Sequence, residues 1–167
     1  MKTVTNVIGI DPGKKGGVCV LNPVGDIYNM IPTPTLKLKN KNDYDVRAMA
    51  AIFHREIKRG YYPAVYLESV HSMPKQGVVS MFEFGKGFGL WIGIVTALGL
   101  PLALVRPQDW KKEIMVGTDK SKGAAIQLSK QLCPDINLKR TERSKKDDDN
   151  LAEAYLIATY GHLKVRS

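Results

Sequence analysis

The chain has 167 residues, of which 44% are hydrophobic and 25% are charged. This length and composition are ordinary for one folded domain, and we predict a single domain over residues 1–167. The sequence shows no signal peptide and no long apolar run typical of a membrane span. The 2 cysteines form neither a zinc motif nor a disulfide framework. We therefore expect a soluble, intracellular protein without a membrane partner.

The basic residues are concentrated in one part of the chain. Lysine and arginine number 25 against 16 aspartates and glutamates, a net charge of +9. Residues 106–146 contain 11 basic and 5 acidic residues, and thus carry +6 of that excess. Such a surface attracts polyanions, of which nucleic acid is the usual one. A solvated face that favours solubility explains the charge equally well.

The apolar pattern predicts an α/β fold. Strands are predicted over residues 7–10, 16–21, 27–31, 64–70 and 102–105, and helices over 46–57, 79–98, 123–132 and 149–163. The first three strands follow in quick succession and favour antiparallel pairing, whereas the later strands alternate with helices and favour parallel pairing. We predict a mixed central sheet flanked by helices in three layers. Residues 33–42 and 137–146 are predicted to be basic loops.

Two carboxylates lie at predicted strand ends. Asp11 ends a buried strand within IGIDPGKKGG, where glycines allow a tight turn and the close approach of a phosphate. Taken alone, Asp11 is best explained as a turn residue, because Asp-Pro-Gly is good turn chemistry. Glu68 ends the apolar strand of VYLESV, where it needs either a structural cation or a metal ion.

A third acidic segment, KKDDDNLAEA, opens the last predicted helix. Asp149 and Glu153 are four residues apart and share a helix face, where like charges repel unless a cation lies between them. Asp148 or Asp149 can instead cap the helix, but capping does not explain Glu153 among apolar neighbours. Carboxylates from two strand ends and one helix together form the oxygen-rich site that Mg²⁺ prefers. Two such ions can activate water and stabilise the leaving oxygen of a phosphodiester.

These segments resemble the RuvC-type Holliday junction resolvases of the RNase H-like superfamily. Four parts carry the resemblance in the family's order: IGIDPGKKGG, VYLESV, FEFGKGFGLWIG followed by VRPQDWKK, and DDDNLAEAYLIATYG. The third part is especially similar to plant chloroplast and phage members. The resemblance spans nearly the whole chain, is weakest over residues 33–60, and implies an RNase H-like fold. It also implies a crossover junction endodeoxyribonuclease that cuts branched DNA symmetrically and leaves 5′-phosphate and 3′-hydroxyl ends.

The resemblance implies a set of catalytic, metal-binding residues. Asp11, Glu68 and Glu153 match its acidic positions, and they would hold Mg²⁺ or Mn²⁺, two ions per site. We assign the fourth position to Asp149, with Asp148 as the alternate. A family spacing of three residues before Glu153 would instead select Asn150.

Further residues are predicted to contact DNA or a second subunit. Lysines near the site would contact phosphates, Gln76 a phosphate or base edge, and one exposed aromatic an unpaired base; the DNA-binding set is Lys75, Gln76, Phe82, Phe84, Lys86, Lys111, Lys112, Lys120 and Lys122. An exposed turn is as good an explanation for Lys75 and Gln76, core packing is the commoner role of such aromatics, and Trp110 is expected to pack. The line of Gly85, Gly89 and Gly93 packs on the sheet or, as the resemblance favours, forms a homodimer interface.

The sequence leaves two alternatives to a junction resolvase. The chain could be a nuclease of the same fold that acts on other branched DNA or on RNA, or a non-catalytic DNA-binding module. Intact carboxylates at every motif argue against a pure binder. We expect the protein in the cytoplasm or nucleoid of a bacterium or phage-infected cell, or in an organelle.

Overall fold

The structure is a computed structural model that describes residues 5–69, 71 and 77–167. The main sheet consists of β1 (Val7–Asp11), β2 (Gly17–Leu21), β3 (Ile27–Pro32), β6 (Ala64–Glu68) and β7 (Leu102–Val105). A separate hairpin is formed by β4 (Thr35–Lys37) and β5 (Asn42–Tyr44). The helices are α1 (Val46–Lys58), α2 (Val78–Ala97), α3 (Pro107–Ile114), α4 (Lys122–Leu132) and α5 (Asp149–Arg166).

The main sheet has the order β3-β2-β1-β6-β7. β1 pairs antiparallel with β2, and β2 with β3, whereas β6 is parallel to both β1 and β7. The mixed sheet predicted from the sequence is therefore confirmed. β1 and β2 are buried along their whole length because helices cover both faces of the sheet.

Two hydrophobic cores separate the three layers. On one face, β1 and β6 pack against α1 and α2 around Phe53 and Trp91. On the other face, α5 lies across the sheet, with α3 and α4 outside it. Gly9 makes this close packing possible, because a Cβ there would lie 2.2 Å from the backbone nitrogen of Ala158. The sheet and α5 thus meet backbone to backbone beside Asp11.

The structure departs from the sequence prediction in two places. The predicted loop over residues 33–42 contains the β4–β5 hairpin, which has almost no buried surface and therefore no apolar alternation to signal it. Helix α3 was not predicted, because it has eight residues, is mostly polar and buries only Trp110. The predicted strand end at Val70 lies outside the described residues. The remaining elements match the prediction to within a few residues.

Helix α2 is long and apolar with much of its surface exposed, although no apolar run typical of a membrane span was predicted from the sequence. It is 20 residues long, its most apolar window has a mean hydropathy of 1.4, and only 17% of that window is buried. By length and composition alone it could cross a membrane. However, Trp91 and Val95 pack in the core, and Glu83 and Lys86 form salt bridges with Lys14 and Asp43. The intracellular setting stays a prediction.

Candidate metal and nucleic-acid site

Neighbouring parallel strands place Asp11 and Glu68 side by side. Ile10 lies opposite Leu67 in the β1–β6 register, so the next residue of each strand is an acid at the same edge of the sheet. Side chains alternate along a strand, and Asp11 therefore shares the face of Gly9, which packs on α5. Glu68 shares the face of Tyr66, whose ring contacts Gly161 of α5. Both carboxylates thus point to the α5 side of the sheet.

Helix α5 completes the cluster with Glu153. One carboxylate oxygen each from Asp11, Glu68 and Glu153 lies within 4.8 Å of the other two. The three residues are 6%, 8% and 8% exposed, so water screens their mutual repulsion poorly. The structure therefore brings together three of the four acids that were predicted from strand ends and helix spacing.

The protonation of the cluster reflects its burial. Burial raises the pKa of Asp11 well above its usual range, and the charges of Glu68 and Glu153 raise it further, while Lys122 lowers it. The pKa of Glu68 is also raised, again mainly by burial, against the opposing hydrogen bond from Trp110. Within the described part of the chain, the Asp11 carboxylate forms no hydrogen bond or salt bridge. A buried carboxylate without a partner is costly, and a bound cation is the ordinary way to offset that cost.

Helix α3 supplies two consecutive side chains to the cluster. The Trp110 indole N–H donates to Glu68 Oε1 at 2.8 Å, and the Lys111 ammonium donates to Glu153 Oε1 at 2.6 Å. Trp110 is fully buried, so this bond is shielded from water. The expectation that Trp110 packs is correct but incomplete, because it also orients a carboxylate. This role depends on where α3 lies, and that helix was not predicted from the sequence.

The residues that open α5 have different partners. Asp148 caps the helix by accepting from the N–H groups of Asn150 and Leu151, and it also pairs with Arg140 at 3.0 Å. Asp149 lies 2.6 Å from the Lys122 ammonium and is close enough to Asp11 to raise its pKa. Capping thus occupies Asp148, whereas Asp149 borders the cluster without joining it. Asn150 lines the cavity beside Asp11.

An open cavity of about 420 Å³ lies next to Asp11. Its walls are the 12–16 turn, Tyr44 and the first turns of α2, including Phe84. The ring of Phe84 packs against Gly13, where a Cβ would lie 2.8 Å from it. The backbone at Gly13 has a positive φ of 105°, which favours glycine. A polyanion could therefore approach the turn backbone beside the acidic cluster.

Arg140 fixes the turn that borders this cavity. This role was not predicted from the sequence. Its guanidinium donates to the carbonyl oxygens of Lys15 at 2.7 Å, Lys14 at 3.0 Å and Gly16 at 3.3 Å. The same group pairs with Asp148, and so connects the turn after β1 to the start of α5. No local pattern signals contacts across more than 120 residues of sequence.

The predicted DNA-binding residues fall into three groups. Lys111 and Lys122 form salt bridges with acids of the site, and Lys86 pairs with Asp43 at 2.7 Å instead. Lys112 and Lys120 are exposed, and Phe82 is 70% exposed, whereas Phe84 is partly buried. The expectation that one of the two phenylalanines is exposed is confirmed for Phe82. Lys75 and Gln76 lie outside the described residues.

The glycines predicted at a dimer interface lie on the exposed side of α2. Gly85, Gly89 and Gly93 are exposed, and an added Cβ would meet nothing within 4 Å at any of them. The alternative prediction, that this line of glycines packs on the protein's own sheet, is therefore wrong. Gly87, between them, faces inward, where a Cβ would lie 2.2 Å from the Tyr44 hydroxyl.

Comparison with known proteins identifies the fold. No protein-family model matches the chain, and no curated protein matches it either. Solved structures do match: Thermus thermophilus RuvC in complex with a Holliday junction substrate has a TM-score of 0.60 at 18% identity, over 96% of this chain and 94% of that one. A second T. thermophilus RuvC structure gives 0.56 at 18% identity, over 96% and 98%. The yeast mitochondrial Holliday junction resolvase Ydc2 gives 0.60 at 16% identity, over 99% and 82%.

These matches define the class of fold. The chain has the RuvC-type, RNase H-like fold over nearly its whole length, as its sequence motifs predicted. The special similarity to chloroplast and phage members stays a prediction.

Proposed function

We propose that the protein is a metal-dependent endonuclease that resolves four-way DNA junctions. The observation that carries this proposal is the buried cluster of Asp11, Glu68 and Glu153, in which one oxygen of each carboxylate lies within 4.8 Å of the other two. The similarity to two resolvases, one of them in complex with a junction, supports branched DNA as the substrate. The basic residues that surround the cluster favour a polyanion as well.

The donor set fits a hard divalent cation. Asp11, Glu68 and Glu153 offer carboxylate oxygens only, which suits Mg²⁺ or Mn²⁺, and we propose two ions per site. Asp149 is our fourth ligand, since Asp148 is occupied in capping α5. Bound there, the cations would supply activation of water and neutralisation of charge at the scissile phosphate, to give 5′-phosphate and 3′-hydroxyl ends.

The surrounding side chains position the carboxylates and the substrate. Trp110 holds Glu68 in one orientation through its indole N–H. Lys111 and Lys122 reach Glu153 and Asp149, so a small rotation would bring either ammonium to a phosphate beside the cluster. Lys112, Lys120 and Phe82 are exposed, and we propose that the two lysines contact the DNA backbone further out and that Phe82 stacks on an unpaired base.

We also propose that α2 forms the interface of a homodimer. Its exposed line of Gly85, Gly89 and Gly93 would let a second helix backbone come close, and a twofold dimer would cut a junction symmetrically. Gly89→Leu is expected to give a monomer in sedimentation equilibrium. A wild-type chain that stays monomeric at micromolar concentration, with or without a junction, would contradict this interface.

A substrate panel tests the proposed function. Synthetic four-way junction, fork, linear duplex and RNA–DNA hybrid are incubated with the protein in Mg²⁺ or Mn²⁺, and nicks are mapped on each strand. We expect paired nicks at symmetric positions on the junction and little cutting of the duplex. Faster cutting of forks or hybrids would favour a different nuclease of this fold. Junction binding without cleavage in either metal would favour a non-catalytic module.

A further inference from the structure

The β4–β5 hairpin is an exposed basic arm with no assigned role. Residues 35–42 are all exposed, and Lys37, Lys39 and Lys41 lie within five positions. The turn closes with a hydrogen bond from the Leu38 N–H to the Lys41 carbonyl oxygen at 2.8 Å. An isolated two-stranded hairpin is marginally stable in water, so this one needs contacts elsewhere to keep its place.

The base of the hairpin is held firmly. The Tyr44 hydroxyl donates to the carbonyl oxygen of Glu83 at 3.1 Å, and burial raises the pKa of Tyr44 to about 12, which keeps that donor protonated. Lys86 donates to both oxygens of Asp43, at 2.7 and 2.9 Å. Lys14 donates to the Asn42 carbonyl oxygen at 2.8 Å. The hairpin is therefore fixed to α2 and to the turn after β1.

These contacts place the arm beside the acidic cluster. Tyr44 lines the same cavity as Asp11, and Lys14 belongs to the turn that borders it. From Tyr44 the strand runs three residues toward the tip, or about 10 Å at 3.4 Å per residue. Duplex DNA carries a phosphate charge about every 1.7 Å along its axis, so a DNA arm that leaves the cavity would present several phosphates over that length.

Two lysines of the arm differ from those nearer the site. Among the described residues, the side-chain ammonium groups of Lys37 and Lys39 form no hydrogen bond or salt bridge, whereas those of Lys86, Lys111 and Lys122 each pair with a carboxylate. Two exposed ammonium groups on a fixed support can meet phosphates without first breaking an ion pair. The only acid of the hairpin, Asp43, is neutralised by Lys86.

We infer that the β4–β5 hairpin binds the phosphate backbone of one DNA arm next to the scissile strand, through Lys37 and Lys39. The inference rests on the proposed function, because it takes branched DNA as the ligand of the Asp11 site. It adds a second basic surface on the α2 side of the cavity, across from the lysines of α3 and α4. Contacts of this kind position the duplex and carry no sequence preference.

The test compares two charge-matched double variants. Lys37→Gln/Lys39→Gln removes two charges from the arm, and Arg55→Gln/Lys58→Gln removes two exposed charges from the end of α1. The α1 end precedes Ala64, which pairs with Val7 at the opposite edge of the sheet from Asp11. Binding of a fluorescent four-way junction is measured by anisotropy in EDTA, over about 50–200 mM salt. Lys37→Arg/Lys39→Arg is the charge-retaining variant, and circular dichroism checks folding.

We expect the arm variant to bind at least ~10-fold more weakly at physiological salt, with a slope of log affinity against log salt smaller by about 2. The arginine variant should bind like wild type, and the α1 variant should lose at most about threefold because of screening. Equal loss in both glutamine variants, or no change in the salt slope of the arm variant, would overturn the inference. A wild-type protein that binds junction no better than duplex would overturn the proposed function itself.

Discussion

A buried acid lies beside each end of β1, and the surroundings of the two acids are opposite. At the amino end, Glu56 is 2% exposed and accepts hydrogen bonds from the Asn6 amide and the Arg59 guanidinium. Arg59 in turn stacks on Tyr28, with its guanidinium carbon 3.8 Å from the ring centroid. At the carboxyl end, Asp11 faces two further carboxylates. The negative charge of Glu56 is thus neutralised within the protein, whereas Asp11 lies in a cluster of like charges.

This difference separates an acid that is neutralised within the fold from one that we propose binds a metal ion. Glu56 links α1 to the chain before β1, and its partner Arg59 contacts the edge strand β3, so the charge of Glu56 is balanced within the protein. The cluster at Asp11 is balanced only in part, by Lys111 and Lys122 at its border. Such repulsion agrees with the metal site that we propose here, since a bound cation would offset it.

The largest expected effect is on cleavage. Asp11→Asn and Glu68→Gln each remove a charge from the cluster and should slow junction nicking by at least ~10³-fold, as loss of a core catalytic group does. Glu56→Gln removes an equally buried carboxylate at the other end of β1 and should keep the wild-type rate below its melting temperature. Single-turnover nicking in Mg²⁺ measures all three. Near-wild-type rates for Asp11→Asn would mean that the site is elsewhere.

A second prediction compares the two tryptophans. Trp110→Phe removes the N–H that orients Glu68 and should weaken Mn²⁺ binding about 10–100-fold, as the loss of such partners of metal ligands does. Trp91→Phe is the matched control, because Trp91 is also fully buried but its N–H has no partner among the described residues. Titration calorimetry with Mn²⁺ gives both affinities. Equal losses in the two variants would reduce Trp110 to a packing role.

Stability should change in opposite directions at the two ends. Glu56→Gln leaves Arg59 without its carboxylate and should lower the free energy of unfolding by about 1–3 kcal/mol. Asp11→Asn relieves repulsion and should raise it by about 1 kcal/mol in EDTA. Either change shifts the melting temperature by about 2–4 °C per kcal/mol. Destabilisation by Asp11→Asn would show that the charge at Asp11 is compensated within the fold.

The smallest expected effect is the pH dependence of the stability difference between Asp11→Asn and wild type. The pKa of Asp11 is raised in the folded protein, so the folded chain binds its proton more tightly than the unfolded chain does. Lowering the pH from neutral should therefore stabilise the metal-free wild type relative to Asp11→Asn, and the gap should close near the unfolded pKa of about 4. Melting curves of both proteins in EDTA measure the gap. A gap independent of pH would contradict the shift.

Local patterns identified the acids of the site but not the groups that position them. Asp11 and Glu68 could be found because each ends an apolar strand, and Glu153 because of its helical spacing from Asp149. Trp110, Arg140 and the hairpin could not, since their roles depend on contacts between distant segments. The exposure of the glycines on α2 could not be predicted either, because the sequence of a largely apolar helix does not determine which of its faces is buried. The choice of Asp149 over Asp148 gains support only because the structure shows Asp148 as the cap.

Direct measurement of Mn²⁺ binding tests the central claim, that the acids at the carboxyl end of β1 form a metal site. Electron paramagnetic resonance counts free Mn²⁺ during titration of wild type, Asp11→Asn and Glu56→Gln without DNA. We predict saturable binding of up to two ions by wild type and by Glu56→Gln, and loss of that binding in Asp11→Asn. Binding by Asp11→Asn with the wild-type affinity and stoichiometry would contradict the account.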